Sequence, residues 1–176
     1  MNPAPRKIAL ITGAARRLGR AIALGMAAEG WDIVVHYGTS HDEARETAGD
    51  IEKLGQRAAV IDCDLAKESA TKALLDRASA LLGPISCIVN NASLFEFDDA
   101  LTFTSTSLNA HMQANLAAPL MLAQALHAQT PAGQQAVVIN LLDQKLFNLN
   151  PDFLSYTLSK AGLQTATTLL AQALAP

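Results

Sequence analysis

A doubly wound parallel sheet with helices on both faces, a three-layer α/β/α domain, is the fold this 176-residue sequence predicts. Three observations predict it. Short continuous apolar runs alternate with longer helix-patterned segments, the pattern of strands buried on both faces and joined by crossover helices. A glycine-containing turn, Thr12-Gly13-Ala14-Ala15-Arg16-Arg17-Leu18-Gly19, follows the first run directly. Polar residues recur where the runs end, at Thr12-Gly13, Asn91 and Asp143. Those strand ends are where such sheets bind ligands.

Ile8-Ala9-Leu10-Ile11 is the first strand, ended by Thr12-Gly13. A helix from about Leu18 to Glu29 stops at Gly30, a good residue for a helix C-terminus. Ile33-Val34-Val35-His36-Tyr37 is the second strand. Ser40-His41-Asp42-Glu43 reads as a capping box that opens a helix ending near Gly55. Ala58 to Ile61 is the third strand, and a helix from about Lys67 to Leu82 ends at Gly83-Pro84. Ser86 to Asn90 is the fourth strand. A long helix from about Ser107 to Ala128 contains Pro119, which predicts a kink. Ala136 to Leu141 is the fifth strand, and a last helix runs from near Phe153 almost to Pro176. Five strands separated by helices predict βαβ units and one domain over 1–176.

Half the residues are hydrophobic, enough for one substantial core, and the net charge of −3 with no basic run argues against a nucleic-acid surface. No stretch reaches membrane-spanning length, and the apolar run after Lys7 is too short for a signal-peptide core. Cys63 and Cys87 stand far apart and read as buried, reduced thiols of a cytoplasmic protein. His36, His41, His111 and His127 lack metal-ligand spacing and read as structural or surface residues, so no metal is expected.

The turn after the first strand suits a pyrophosphate. Gly13 permits the tight bend, Gly19 lets the helix pack closely, and free amides at a helix N-terminus favour an anion. Arg17 stands where such loops usually place a middle glycine. Strand two ends in His36-Tyr37-Gly38-Thr39-Ser40, with no carboxylate before Asp42 to take a ribose hydroxyl. Thr39 and Ser40 as donors and Arg16 or Arg17 as cations favour a 2′-phosphate, hence NADPH over NADH. Tyr156 and Lys160 carry the chemistry. Four apart on a helix they share a face, which predicts an ammonium beside the phenol, favouring its ionised form and lowering its pKa. A tyrosine tuned this way exchanges a proton with an oxygen or nitrogen during hydride transfer.

Thr12-Gly13…Gly19, Asp64-Leu65, Asn90-Asn91-Ala92, Asn115 and Tyr156…Lys160 together resemble the motifs of the short-chain dehydrogenase/reductase family, in order and approximate spacing over nearly the whole chain. The resemblance implies a Rossmann-like fold, a nicotinamide cofactor and often a homotetramer. Within the family the chain looks like the pteridine reductases. They share the loop with Arg17, a His36-Tyr37 pair, and Asn90 to Ser93 followed by Phe95. They also share Asp143, thirteen residues before Tyr156, where the wider family has a catalytic serine. The chain departs from them in lacking a basic residue near Thr39.

By this resemblance Gly13, Arg16, Arg17, Leu18, Gly19, His36, Tyr37, Thr39, Ser40, Ala92 and Ser93 belong to the cofactor site. Asp64 and Leu65 would contact the adenine, Asn91 the adjoining ribose, and Lys160 the nicotinamide ribose. Asn115 would sit at a distortion of the long helix and hold a water linked to Lys160. Phe95 would stack on a flat heterocycle, with Arg17 and Ser93 at the substrate or a cofactor phosphate. A carboxylate at Asp143 can accept N–H bonds or, if burial raises its pKa, donate a proton, which suits a pterin C=N better than a ketone. The expected function is therefore NADPH-dependent reduction of a pterin-type small molecule, with Tyr156 as proton donor assisted by Asp143 and Lys160. A keto-group reductase acting on a 3-oxoacyl thioester or a sugar is the alternative. A nucleotide-binding protein without turnover is a further one. Family members continue with two more strands and a substrate lid, so the sequence is expected to be part of a longer chain.

Overall fold

β1 (Ile8–Ile11) lies at the centre of a five-stranded parallel sheet, between β2 (Asp32–Tyr37) and β4 (Cys87–Asn90). β3 (Ala58–Asp62) pairs outside β2 and β5 (Val137–Asn140) outside β4, giving the order β3-β2-β1-β4-β5. The computed structural model describes residues 6–174. Ile8, Ala9, Leu10 and Ile11 are all buried, as a run without polar alternation requires of a strand covered on both faces.

The helices divide between the faces. α1 (Arg17–Ala28) and α2 (His41–Lys53) cover one, where Ala23, Ala27, Ala44 and Ile51 meet Ile11, Ile33, Val35 and Val89. α3 (Glu68–Leu82) and α5 (Ala118–Gln129) cover the other, where Leu74, Leu75, Leu122 and Leu126 meet Leu10, Val34 and Ile88. α6 (Leu154–Leu174) packs against α4 (Ser105–Met112) and α5. The expected course of the last helix toward Pro176 lies outside the described residues. The register puts Val137 and Ile139 of β5 level with Cys87 and Val89, on the α1 side of the sheet. No helix among the described residues covers them there, and they are 50% and 44% exposed.

Two local expectations are corrected. Ser40 sits at the N-cap of α2 but its side chain makes no cap bond, so the capping box does not form. Glu43, its expected reciprocal partner, lies 3.9 Å from Arg16 instead. The long helix does not simply kink at Pro119. It breaks into α4 and α5 around a π-helical turn, Gln113–Ala117, in which the Ala118 N–H reaches back to the carbonyl of Gln113. Proline supplies the reason: without an N–H, Pro119 cannot bond the carbonyl of Asn115, so the preceding turn widens.

Cys63 and Cys87 are both buried and unpaired. Among the described residues no helix is long and apolar enough to cross a membrane, and no group of His, Cys, Asp and Glu could hold a metal ion. Leu74 is fully buried between α3 and the sheet. Leu74→Ala is expected to lower the stability of the fold by about 2–5 kcal/mol, read as a fall in the urea midpoint at unchanged slope.

Candidate active site

β1 and β4 are neighbours, but the chain leaves β1 toward α1 on one face and β4 toward α4 on the other. A crevice opens between their C-terminal ends. Thr12 and Asn91 hold its floor. Thr12 Oγ1 donates to the carbonyl of Val89 at 3.3 Å and accepts the N–H groups of Asn91 and Ala92, each at 3.0 Å. The Asn91 amide nitrogen donates to the carbonyls of Thr12 at 2.8 Å and Gly13 at 3.1 Å. The crevice has a volume of about 590 Å³.

One half of its lining comes from the glycine turn and the end of β2. Gly13 has φ +63, and a Cβ there would lie 3.0 Å from the Ala92 backbone. A Cβ on Gly19 would lie 2.2 Å from the Gly13 carbonyl oxygen, so only glycine fits. Arg17 takes φ +53, the left-handed conformation usually left to glycine, and its side chain lines the crevice with those of Arg16 and Leu18. A non-glycine residue in that conformation costs about 1–2 kcal/mol, which the surrounding loop must offset. Tyr37, Thr39 and Ser40 complete this half, and the hydroxyl of Ser40 is not spent on capping.

His36 does not join them. It is 2% exposed and lies beneath the loop, its Nδ1 accepting the Gly13 N–H at 3.0 Å and its Nε2 meeting the carbonyl of Cys63 at 3.0 Å. That assigns the neutral tautomer with the proton on Nε2. Burial drives the imidazole pKa down to about 4, against the opposing pull of the Cys63 bond. The ring thus supports the turn from beneath rather than facing the crevice. Asp64 and Leu65 lie beyond the crevice lining, after β3, with the Asp64 side chain exposed and Leu65 buried. Asn91 reaches the crevice, but its amide N–H groups are committed to Thr12 and Gly13.

The other half brings together Ser93, Phe95, Asp143, Tyr156 and Lys160. Asp143 caps a short 3₁₀ turn, Gln144–Phe147, accepting the Lys145 N–H at 2.8 Å. Its second oxygen accepts the Tyr156 phenol at 2.6 Å. Lys160 is 3% exposed and donates from Nζ to the Leu141 carbonyl at 2.8 Å. Its ammonium lies 5.9 Å from the centre of the Tyr156 ring.

These contacts reverse the expected tuning of the tyrosine. Burial and the hydrogen bond to Asp143 raise the phenol pKa above its ordinary value, because the nearest full charge is a carboxylate and the ammonium is turned to a backbone carbonyl. The Tyr156 and Lys145 hydrogen bonds hold Asp143 below its ordinary pKa, against burial, so it is an ionised acceptor rather than a proton donor. Burial lowers the Lys160 pKa, opposed by the charge of Asp143.

Asn115 falls inside the π turn, where the resemblance implied a distortion, but its side chain stays out of the crevice. Its amide donates to the Leu94 carbonyl at 2.9 Å and Ser159 Oγ at 3.0 Å, and its oxygen accepts from Leu94 N at 2.7 Å and Ser93 Oγ at 3.3 Å. With its hydrogen-bonding capacity filled by protein, it fastens the loop after β4 to α6. His111, one helical turn earlier and fully buried, accepts the Glu96 N–H at 3.3 Å on Nε2. Ser107, a further turn earlier, donates to Asp98 at 3.1 Å. Three side chains on one helix stripe therefore hold alternate residues of an extended segment, 94, 96 and 98. The intervening Phe95 and Phe97 point the other way, against Phe153, with ring centres 4.2 and 5.3 Å away. The sequence reading missed this arrangement. Its signal was the four-residue spacing of Ser107, His111 and Asn115 opposite the two-residue spacing of Phe95 and Phe97.

The family model of the short chain dehydrogenases matches residues 7–176. The 2-dehydro-3-deoxy-D-gluconate 5-dehydrogenase of Escherichia coli is 36% identical over 166 residues, covering 94% of this chain and 64% of that enzyme. The chain thus spans less than two thirds of that relative's length. The crystal structure of FolM alternative dihydrofolate reductase 1 from Brucella canis, complexed with NADP, is 39% identical with a TM-score of 0.92, over 97% of this chain and 69% of that one. The angucycline C-6 ketoreductase LanV with bound NADP is 30% identical with a TM-score of 0.87, over 96% and 67%.

Two measurements check this geometry. The neutral His36 contributes its full stability above the unfolded imidazole pKa of 6.5 and loses it as the pH falls toward 4. Wild type is expected to lose roughly 3 kcal/mol more over that window than His36→Gln, read from urea midpoints. The chain has two tyrosines, so in a Tyr37→Phe background the phenolate absorbance reports Tyr156 alone. Asp143→Asn is expected to bring its titration down toward the ordinary tyrosine value of about 10.

Proposed function

The chain belongs to the short chain dehydrogenase family, and from that premise we propose that it is an NADPH-dependent reductase of a flat C=N heterocycle of the pterin type, with Tyr156 as proton donor. The observation that carries this reading is the Asp143 carboxylate bonded to the reactive phenol at 2.6 Å, where an N–H-bearing substrate edge would meet it. The 39% identity to an alternative dihydrofolate reductase supports it.

The crevice fits the cofactor. Its cradle admits no Cβ at Gly19 and its turn requires Gly13. Arg16, Arg17, Thr39 and the uncommitted Ser40 hydroxyl stand where a 2′-phosphate needs cations and donors, and among the described residues no acidic side chain lines the crevice on that side. NADPH, when bound, supplies the hydride. The chain's own residues do the rest. Asp143, ionised, accepts the substrate's amino and ring N–H groups and so fixes its orientation. As the substrate enters, the Tyr156 O–H exchanges Asp143 for the ring nitrogen beside the carbon that is reduced, and gives it the proton. The proton is replaced from solvent. Its raised pKa keeps Tyr156 protonated throughout the neutral range, so the donor is always loaded. Lys160, held on the Leu141 carbonyl, would offer its remaining N–H bonds to the ribose hydroxyls of the bound cofactor, and its charge would stabilise the transient phenolate. Phe95 forms the wall for the flat ring.

A second reading is reduction of a keto group on a sugar or a thioester, favoured by the 36% identical 2-dehydro-3-deoxy-D-gluconate 5-dehydrogenase. The proposal includes a homotetramer, supported by exposed Leu158 and Leu169 on α6 and checked by light scattering of the purified protein, and a cytoplasmic location, supported by the buried, unpaired Cys63 and Cys87.

Dihydropterin or dihydrofolate is expected to drive NADPH oxidation, and Tyr156→Phe to slow it by about 10²–10⁴-fold. Turnover of an acetoacetyl thioester alone would sink the pterin reading and leave the ketone one. Asp143→Ser is expected to weaken pterin turnover more than any residual ketone turnover, measured as the ratio of the two kcat/KM values.

A further inference from the structure

α6 carries Tyr156 in its first turn, yet the residue that precedes the helix cannot cap it. Phe153 has no side-chain acceptor and takes φ +58, a conformation rare for an aromatic residue. The first turn of α6 is held from elsewhere. Asp98, 3% exposed, accepts the Ser155 N–H on Oδ1 at 2.9 Å, and its backbone carbonyl accepts the Leu154 N–H at 3.1 Å. Its other carboxylate oxygen accepts from Ser107 Oγ at 3.1 Å, on α4. Burial would raise this carboxyl's pKa, but the Ser155 and Ser107 bonds outweigh it and hold the group ionised. A buried carboxylate facing the positive end of a helix is thus satisfied on both oxygens.

The turn at Phe153 serves the same contact. It directs the Leu154 and Ser155 N–H groups at Asp98 and lays the Phe153 ring on Phe95, with centroids 4.2 Å apart and planes 10° from parallel. Phe95 in turn meets the Tyr156 ring edge-on at 4.6 Å. Asp98 therefore stands at the junction of three parts: the segment bearing Phe95, helix α4, and the turn bearing Tyr156.

We propose that Asp98 is a positioning residue for the proton donor, a cap supplied from a distant part of the same chain that locks the first turn of α6 to the Phe95 wall. It touches neither substrate nor cofactor. Its effect is to keep the Tyr156 phenol at bonding distance from Asp143 while the substrate wall moves with it as one body. Lys160 lies one turn deeper in α6, anchored on Leu141, and the glycine turn is on the far side of the crevice. Loss of the cap should thus disturb the donor and spare cofactor binding. The inference rests on the reductase reading only for its kinetic arm.

The test compares Asp98→Ala, Asp98→Asn and Ser107→Ala in the full chain, each also in the Tyr37→Phe background. In Asp98→Ala, kcat is expected to fall more than about tenfold while the NADPH dissociation constant changes less than about twofold. Tyr156 titration should move down as its bond to Asp143 loosens. Asparagine keeps an acceptor for the Ser155 N–H, so Asp98→Asn should restore the wild-type titration and kcat to within about threefold. Ser107→Ala frees one carboxylate oxygen and leaves the cap, and should lower kcat by about threefold without altering NADPH binding. Should Asp98→Ala fail to fold, the Asn and Ser107 variants decide. Unchanged Tyr156 titration in a folded Asp98→Ala, or equal losses of kcat and NADPH affinity across the set, overturns the proposal. If wild type turns over no substrate offered, the reductase reading fails on its own, and the Tyr156 titration still decides the role of Asp98.

Discussion

The parting of β1 and β4 is the constraint on which the rest of the molecule depends. Two adjacent parallel strands send their chains to opposite faces of the sheet, and their ends would leave backbone groups unpaired in the gap. Thr12 and Asn91 close that gap by bonding each other's main chains. Their bonds fix the glycine turn against the loop after β4, and the crevice lining from Gly13 to Gly19 and from Asn91 to Phe95 hangs from one or the other. His36 adds a third anchor from below, tying β2 and the end of β3 to Gly13 through one buried ring.

The second organising feature is the break in the long helix. Pro119 cannot complete the hydrogen bond to Asn115, and the π turn that results shifts the register of the stripe facing the β4 loop. Ser107, His111 and Asn115 then meet residues 98, 96 and 94 in turn. An extended segment held at alternate positions must present the others outward, which is why Phe95 and Phe97 form a wall. Buried polar contacts of this kind are costly when incomplete and specific when complete. Here each of the three helix side chains finds its partner, so the wall has one position.

The chemical half of the crevice shows how a correct pairing can carry the wrong electrostatics. Tyr156 and Lys160 do lie on one helix, four residues apart, as their spacing predicts. What sets the phenol's acidity is its burial and, after that, its bond to Asp143, brought from thirteen residues upstream by the 3₁₀ turn. A reactive tyrosine made less acidic by a carboxylate differs from one made more acidic by an ammonium. The former holds its proton until a substrate takes the carboxylate's place.

Much of this was legible in the sequence because it is local. Apolar runs of four to six residues, glycines at turns, and the alternation of strand and helix patterns predict the strands and their connections from near-neighbour sterics and burial. Arg17 in a glycine's place stands out in the sequence and takes a left-handed conformation, and the kink that Pro119 predicts and the distortion that the resemblance implies at Asn115 coincide in the π turn. The missing cap bond at Ser40, the turn of the His36 ring away from the crevice and the raised tyrosine pKa escape the sequence for a common reason. Each depended on which of several possible partners a side chain finds, and those partners lie 23 to 27 residues away for His36 and 13 for Tyr156. Asp98, 57 residues from the amide it caps, left no local trace at all. The sequence by itself determined the elements, their order and the inventory of reactive groups. Only the tertiary structure decided which groups share a hydrogen bond, because partner choice follows from distance and burial, which the packing of distant segments sets.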